Sequence, residues 1–244
     1  MPEALATGQV WSPSRGVNLM NLTQYPGVMI TDTFSGNNGA WFGTGASGAG
    51  TGLIVYPNTN FGNSDANSLK VQAQPNSRFL AVRKFDITPK KKLAFNGFFC
   101  YDNPANVAFV HMQMQWRDVD HGLTHLAAYR YNTALTRWEY LPNTSPSASG
   151  AFVALPNGTT TLASGAGAWH ETYFDVDFGN NLYDEFLSGQ IGVVNTGSAS
   201  LGPAIPTPAE NTEAQRVEIL LGVETTSSGV GNTWWDDITI FEVD

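Results

Sequence analysis

Apolar and polar residues alternate with a period of two through much of this chain. The pattern is clearest from Val107 to Arg117, where Ala108, Val110, Met112, Met114 and Trp116 alternate with Val107, Phe109, His111, Gln113, Gln115 and Arg117. On an extended strand these two sets face opposite ways, so the first predicts a buried face and the second a mostly polar one. Shorter runs predict strands at Val28 to Phe34, Leu53 to Tyr56, Ser68 to Gln74, Phe79 to Ile87, Leu93 to Tyr101 and Leu123 to Tyr131. Others follow at Arg137 to Leu141, Thr159 to Leu162, Trp169 to Phe178, Gln190 to Val194, Val217 to Thr225 and Trp234 to Val243. A turn or two around Leu182 to Leu187 is the one segment expected to be helical.

Many short strands punctuated by Gly, Pro, Asn and Ser point to an all-β fold, a two-sheet antiparallel β-sandwich of jelly-roll type. Two segments predict long surface loops: Pro142 to Ala168, rich in Ser, Gly and Thr, and Leu201 to Asn211, with three prolines. Residues 1–27 show neither helical nor strand periodicity and predict an extended N-terminal arm ahead of a sandwich spanning 28–244. Its apolar Trp11, Leu19, Met20, Leu22 and Tyr25 need a surface to lie on, either this sandwich or another subunit.

Composition supports one folded domain, with 42% hydrophobic and 14% charged residues over 244 positions. A formal net charge of -9 argues against nucleic acid as a partner. No stretch approaches the ~20 apolar residues of a membrane span, and the first residues lack the basic and apolar regions of an export signal. Cys100 is the only cysteine and sits among Phe98, Phe99 and Tyr101, which predicts a buried thiol rather than a nucleophile.

Several motifs suggest chemistry and then fail on context. Gly43 to Gly48 matches the G-x-G-x-x-G spacing, but a strand-like Leu53 to Tyr56 follows where a phosphate cradle needs a helix, so a loop is expected. His121 and His125 stand four apart, an interval of about 13 Å on a strand and too long to share an ion. Glu171, Asp175 and Asp177 share one face of a predicted strand, the raw material of glycoside hydrolysis if they line a cleft. The polar row His111, Gln113, Gln115 and Arg117, joined by His125, Tyr129 and Tyr131 from the following strand, suits a sugar or a protein partner. Aromatic faces stack on pyranose rings, and amide and guanidinium groups satisfy hydroxyls.

The frame Asp32-Thr33-Phe34-Ser35-Gly36, then Gly39-Ala40-Trp41, closing on Trp235-Asp236-Asp237-Ile238-Thr239-Ile240-Phe241-Glu242, resembles the ends of carbohydrate-binding-module-like β-jelly rolls. Ser68 to Val71, Ala128 to Asn132 and Ala168 to His170 extend the resemblance toward a bacterial and phage family of jelly-roll proteins. The resemblance implies that the first and last strands are neighbours. It also implies a structural Ca2+ held by Asp32 with Asp236 or Asp237, whose hard oxygens suit that ion.

Two functional expectations follow. One is a non-catalytic structural protein, such as a capsid decoration protein on a virion, meeting other subunits through its arm and a sheet face. The other is a carbohydrate-binding protein using the face that carries His111 and Tyr129, with glycoside hydrolase or lyase activity a more distant third.

Overall fold

The computed structural model describes residues 28–32, 41–47, 52–58, 63, 67–85, 92–142, 151–188, 191–193, 202–206 and 216–243. The arm, with Trp11, Leu19, Met20, Leu22 and Tyr25, lies outside the described residues. Sixteen strands form among them: β1 (Val28–Asp32), β2 (Phe42–Ser47), β3 (Gly52–Asn58), β4 (Ser68–Ala73), β5 (Arg78–Phe85), β6 (Lys92–Tyr101), β7 (Val107–Asp118) and β8 (Leu123–Asn132). The second half adds β9 (Arg137–Tyr140), β10 (Val153–Thr159), β11 (His170–Asp177), β12 (Leu182–Ser188), β13 (Ile191–Val193), β14 (Gly202–Pro206), β15 (Arg216–Thr225) and β16 (Gly231–Val243).

All pairings among these strands are antiparallel and divide into two sheets. The first runs β13-β12-β11-β6-β16-β4-β3, with β1 also on β16. The second runs β10-β9-β8-β7-β15-β5-β2, with β14 also on β8. The pairing of β1 with β16 sets Asp32 opposite Ile238 and makes the first and last strands neighbours, as the resemblance implied. The fold is therefore the expected all-β sandwich.

Even-numbered residues of β7 point between the sheets, and Val110, Met112 and Met114 are fully buried there. They meet an aromatic core supplied by both sheets, with Phe99, Trp138, Phe174, Phe186 and Trp235 all without exposed surface. Trp138 packs on Phe99 and Phe186 at centroid distances of 5.8 and 4.9 Å. Burying one such side chain contributes about 1.5–3 kcal/mol, so this layer dominates the stability of the sandwich. Tyr183 on β12 crosses to the second sheet, where its hydroxyl donates to the Leu141 carbonyl at 2.7 Å and accepts from the Ala128 amide at 3.0 Å. One side chain thus closes two backbone groups where β8 and β9 part.

Three local expectations are corrected. Leu182 to Leu187 is strand β12, not a helix: it is hydrogen-bonded between β11 and β13, with Tyr183 and Phe186 inward. The glycine run from Gly43 is strand β2 rather than a loop. A Cβ at Gly43 would lie 2.7 Å from the Phe79 ring, so glycine there lets β5 pack closely. Strands β10 and β14 occupy parts of the two segments expected to be loops, and β10 covers Val153–Thr159 where Thr159 to Leu162 was expected.

Candidate functional site

The register of β7 and β8 decides which predicted residues meet. Tyr129 pairs with Met112 and Tyr131 with Val110, so both tyrosines share the inward parity and are fully buried in the core. Neither belongs to the polar face, which corrects the expectation that they would join it. His125 pairs with Trp116 on the same inward side, stacked on the indole at 4.9 Å. A one-residue shift in pairing would have brought all three outward, since strand parity sets the face.

The outward residues that do join β7 come from β8, β9, β15 and β5. His111 pairs with Arg130 on one side and Gly222 on the other, and Arg130 pairs with Glu139. Gln113, Gln115 and Arg117 continue the row and are partly exposed. Leu80, Val82 and Leu220 form a buried apolar cluster on this side, and Leu126, Ala128 and Leu141 form another with Phe152.

Arg130 is held between two rings, its guanidinium carbon 3.8 Å from the Phe109 centroid and 4.2 Å from that of Phe152. Its Nε donates to Glu139 Oε2 at 2.7 Å, while Arg137 donates from Nη2 to Glu139 Oε1 at 2.9 Å. Burial works against the Glu139 charge, but Arg137, Arg130 and Asn132 outweigh it and hold its carboxyl below the ordinary value. The pair is fixed before any ligand arrives, and a planar guanidinium held this way suits recognition of a carboxylate or hydroxyl pair.

His111 lies wholly buried at the centre of the face, its Nε2 3.0 Å from Glu224 Oε2. Burial pushes the imidazole below its ordinary value, more than the Glu224 hydrogen bond raises it. A neutral ring that donates from Nε2 leaves a lone pair on Nδ1, and Nδ1 has no hydrogen-bond partner. A buried acceptor left open costs about 1–3 kcal/mol.

Further along the row, Glu218 gathers Arg216 at 2.7 Å, Arg117 at 3.4 Å and Lys84 at 3.9 Å, and receives the Gln115 amide at 3.2 Å. Sequence inspection missed Arg130, Glu139, Glu224 and Phe152. The even parity of β8 contained the signal for Arg130, once the core parity of Tyr129 was known.

The carboxylates Glu171, Asp175 and Asp177 do share the outer face of β11, but that is the opposite side of the sandwich, on the first sheet. Asp175 is raised to about 7, chiefly by burial and also by the charges of Asp184 and Glu185, with the Glu185 amide and Lys92 opposing. Asp175 accepts from the Glu185 amide at 2.5 Å and from the Tyr173 hydroxyl at 3.3 Å. Asp177 instead closes a turn, accepting from the Asn180 amide and side chain at 2.8 and 2.7 Å.

His121 and His125 are nearer than a continuous strand would allow, because His121 sits in the turn between β7 and β8. Both approach Asp118 Oδ2, at 2.6 and 3.8 Å. Even so, no group of three His, Cys, Asp or Glu suited to a metal occurs among the described residues. Asp236 and Asp237 are buried, and their oxygens accept from protein N–H groups: Asn63 N to Asp236 Oδ2 at 2.6 Å, Asp237 N to Asp236 Oδ1 at 2.8 Å, and Asn63 Nδ2 to Asp237 Oδ2 at 2.9 Å. These hydrogen bonds satisfy the two buried carboxylates from within the protein. Cys100 is buried as expected, and burial pushes its thiol up to about 12.

No family model matches the chain, and no curated protein matches it significantly. Its fold is similar to a protein of unknown function with a galectin-like fold from Bacillus subtilis, at 12% identity and TM-score 0.55, over 89% of this chain and 96% of that one. The cellulose induced protein Cip1 is similar at 16% identity and TM-score 0.50, over 88% and 97%. The alginate lyase A1-II', of polysaccharide lyase family 7, is similar at 6% identity and TM-score 0.50, over 88% and 100%. These likenesses establish the fold, a jelly-roll β-sandwich. None of the three names describes a capsid or virion component, and the particle reading gains no support from them.

Proposed function

We propose that the protein binds a saccharide chain on the outer face of the second sheet, along the row His111, Gln113, Gln115 and Arg117. The observation that carries this reading is the preorganised cluster at the head of that row. Arg130 is clamped between Phe109 and Phe152 and hydrogen-bonded to Glu139. Saccharides present dense hydroxyl donors and acceptors on an apolar ring, and this face supplies amide, guanidinium and aromatic groups together. Two proteins of similar fold, one an alginate lyase and one named for its induction by cellulose, support a glycan as the ligand class.

A glycan array followed by calorimetry on the full chain tests the reading. Binding that weakens when Gln113 becomes Ala and is untouched when the core Tyr129 becomes Phe is the expected result. No binding to any glycan, or binding indifferent to Gln113, removes it.

A further inference from the structure

The outer faces of the two sheets carry opposite charge, and the saccharide-binding face is the cationic one. Strand parity places Arg78 and Lys84 of β5, Arg117 of β7, Arg130 of β8, Arg137 of β9 and Arg216 of β15 on the outer side of the second sheet. These are six of the 12 Lys and Arg residues in a chain of net charge -9. Only three carboxylates share that side among the described residues: Glu139, Glu218 and Glu224. On the outer side of the first sheet the balance reverses. There Glu171, Tyr173, Asp175 and Asp177 of β11 lie beside Asp184 and Glu185, with Lys92 paired to Asp184.

We infer that the ligand of the second sheet is an anionic glycan, one bearing carboxylate or sulfate groups, and this inference rests on the saccharide reading above. The cations stand in two groups along the face. Arg130 and Arg137 flank Glu139 at the His111 end, while Lys84, Arg117 and Arg216 surround Glu218 at the other. His111 and Arg117 are six residues apart on one strand, about 20 Å of extended chain, with Gln113 and Gln115 between them. A chain lying along β7 would therefore meet guanidinium groups at both ends and amides between them. Neutral sugars would gain ordinary hydrogen bonds from these cations, whereas an anionic chain would gain stronger charge-assisted ones at both ends of the row. The acidic remainder of the molecule repels such a ligand only weakly near the face, because the Debye length at physiological salt is about 8 Å.

Calorimetry on the full chain with three probes tests this: an oligogalacturonate, a heparin oligosaccharide and a neutral cello-oligosaccharide of the same length. Expected is binding of one or both anionic probes, at least tenfold tighter than the neutral one and weakening as salt is raised; which anion binds identifies carboxylate or sulfate. A double variant of two partly exposed cations, Lys84→Gln with Arg137→Gln, is expected to lose at least tenfold in affinity for the anionic probe while still unfolding cooperatively, at a lowered midpoint because Arg137 partners the buried Glu139. Preference for the neutral probe, or anionic binding unchanged within twofold in the folded double variant, overturns the anionic inference and leaves the saccharide reading standing. Failure of all three probes, together with a blank glycan array, overturns both.

Discussion

The outer faces of the two sheets are built from the same alternating pattern, yet they treat buried carboxylates in opposite ways. On the second sheet, burial opposes the charge of Glu139 and of Glu224, but arginine and imidazole neighbours outweigh it and both carboxyls fall below their ordinary values. On the first sheet, burial acts on Glu171, Asp175 and Glu185 with too little cationic compensation, and all three rise. Burial is common to both faces, so the sign of each shift is decided by which charges the neighbouring strands bring. The carboxylates of one face hold their charge against burial, whereas the other face carries an acid that holds its proton toward neutrality.

The largest expected effect comes from removing the anion that orders the cationic face. Glu139 is 2% exposed and accepts hydrogen bonds from Arg130, Arg137 and Asn132. Glu139→Ala leaves two guanidinium groups without their shared partner, at a cost of about 2–4 kcal/mol, the arginines' partial exposure placing it toward the lower end of buried pairs. Urea unfolding at pH 7 measures it; a loss under 0.5 kcal/mol would show that the face is not held by this carboxylate.

The acidic face should respond to pH in the other direction. Asp175 is raised to about 7 in the folded protein from an ordinary 3.8, so the native state binds its proton more tightly than the unfolded chain does. The stabilisation this gives is complete below pH ~4, declines as pH rises, and is gone above about 7. Asp175→Asn keeps an oxygen for the Glu185 amide and removes the titration. The variant is expected to be more stable than the parent by about 1–3 kcal/mol at pH 8, with the difference vanishing near pH 4. Parallel stability profiles for the two proteins would show that Asp175 titrates normally.

A smaller effect separates the parity of β7 itself. Gln113→Ala removes one outward amide, worth about 0.5–1.5 kcal/mol, or roughly a three- to tenfold weaker Kd for the bound glycan. Tyr129→Phe, on the inward parity and buried in the core on the opposite face of the sheet, is expected to leave Kd unchanged. Equal effects from both would mean that the face assignment is wrong.

How far this comparison was legible in the sequence follows from what alternation encodes. Within β7 the period of two separates Val110, Met112 and Met114 from Gln113 and Gln115 without ambiguity, and the all-β sandwich follows from many such runs. Alternation within β8 leaves open which parity faces the core, because Tyr129 and Tyr131 are amphipathic and Arg130 stands between them. Only the register with β7 settles it. The same limit hid the site: Glu139, Glu224 and Phe152 reach His111 and Arg130 through pairings, hydrogen bonds and ring contacts 9 to 113 residues apart. Leu182 to Leu187 reads as helical because its acidic residues and leucines favour that state locally, and tertiary pairing with β11 overrides the propensity.

The smallest expected effect concerns Asp32, Asp236 and Asp237 at the junction of β1 and β16. The jelly-roll resemblance assigns these residues a structural calcium, and the geometry assigns two of them hydrogen bonds instead. Both oxygens of Asp236 and one of Asp237 accept from N–H donors, and Asp237 adopts a positive φ of 51°, a backbone state tolerated by Asp better than by most residues. An ion bound only by the folded protein would raise stability by about 2.7 kcal/mol at a hundredfold excess over its Kd. Hydrogen bonding alone predicts that thermal unfolding in a chelator and in millimolar calcium gives midpoints within 1 °C, about the precision at which such shifts are read. A rise of several degrees with calcium, abolished by Asp236→Asn, would return the ion to this junction and make the first sheet the metal-bearing face.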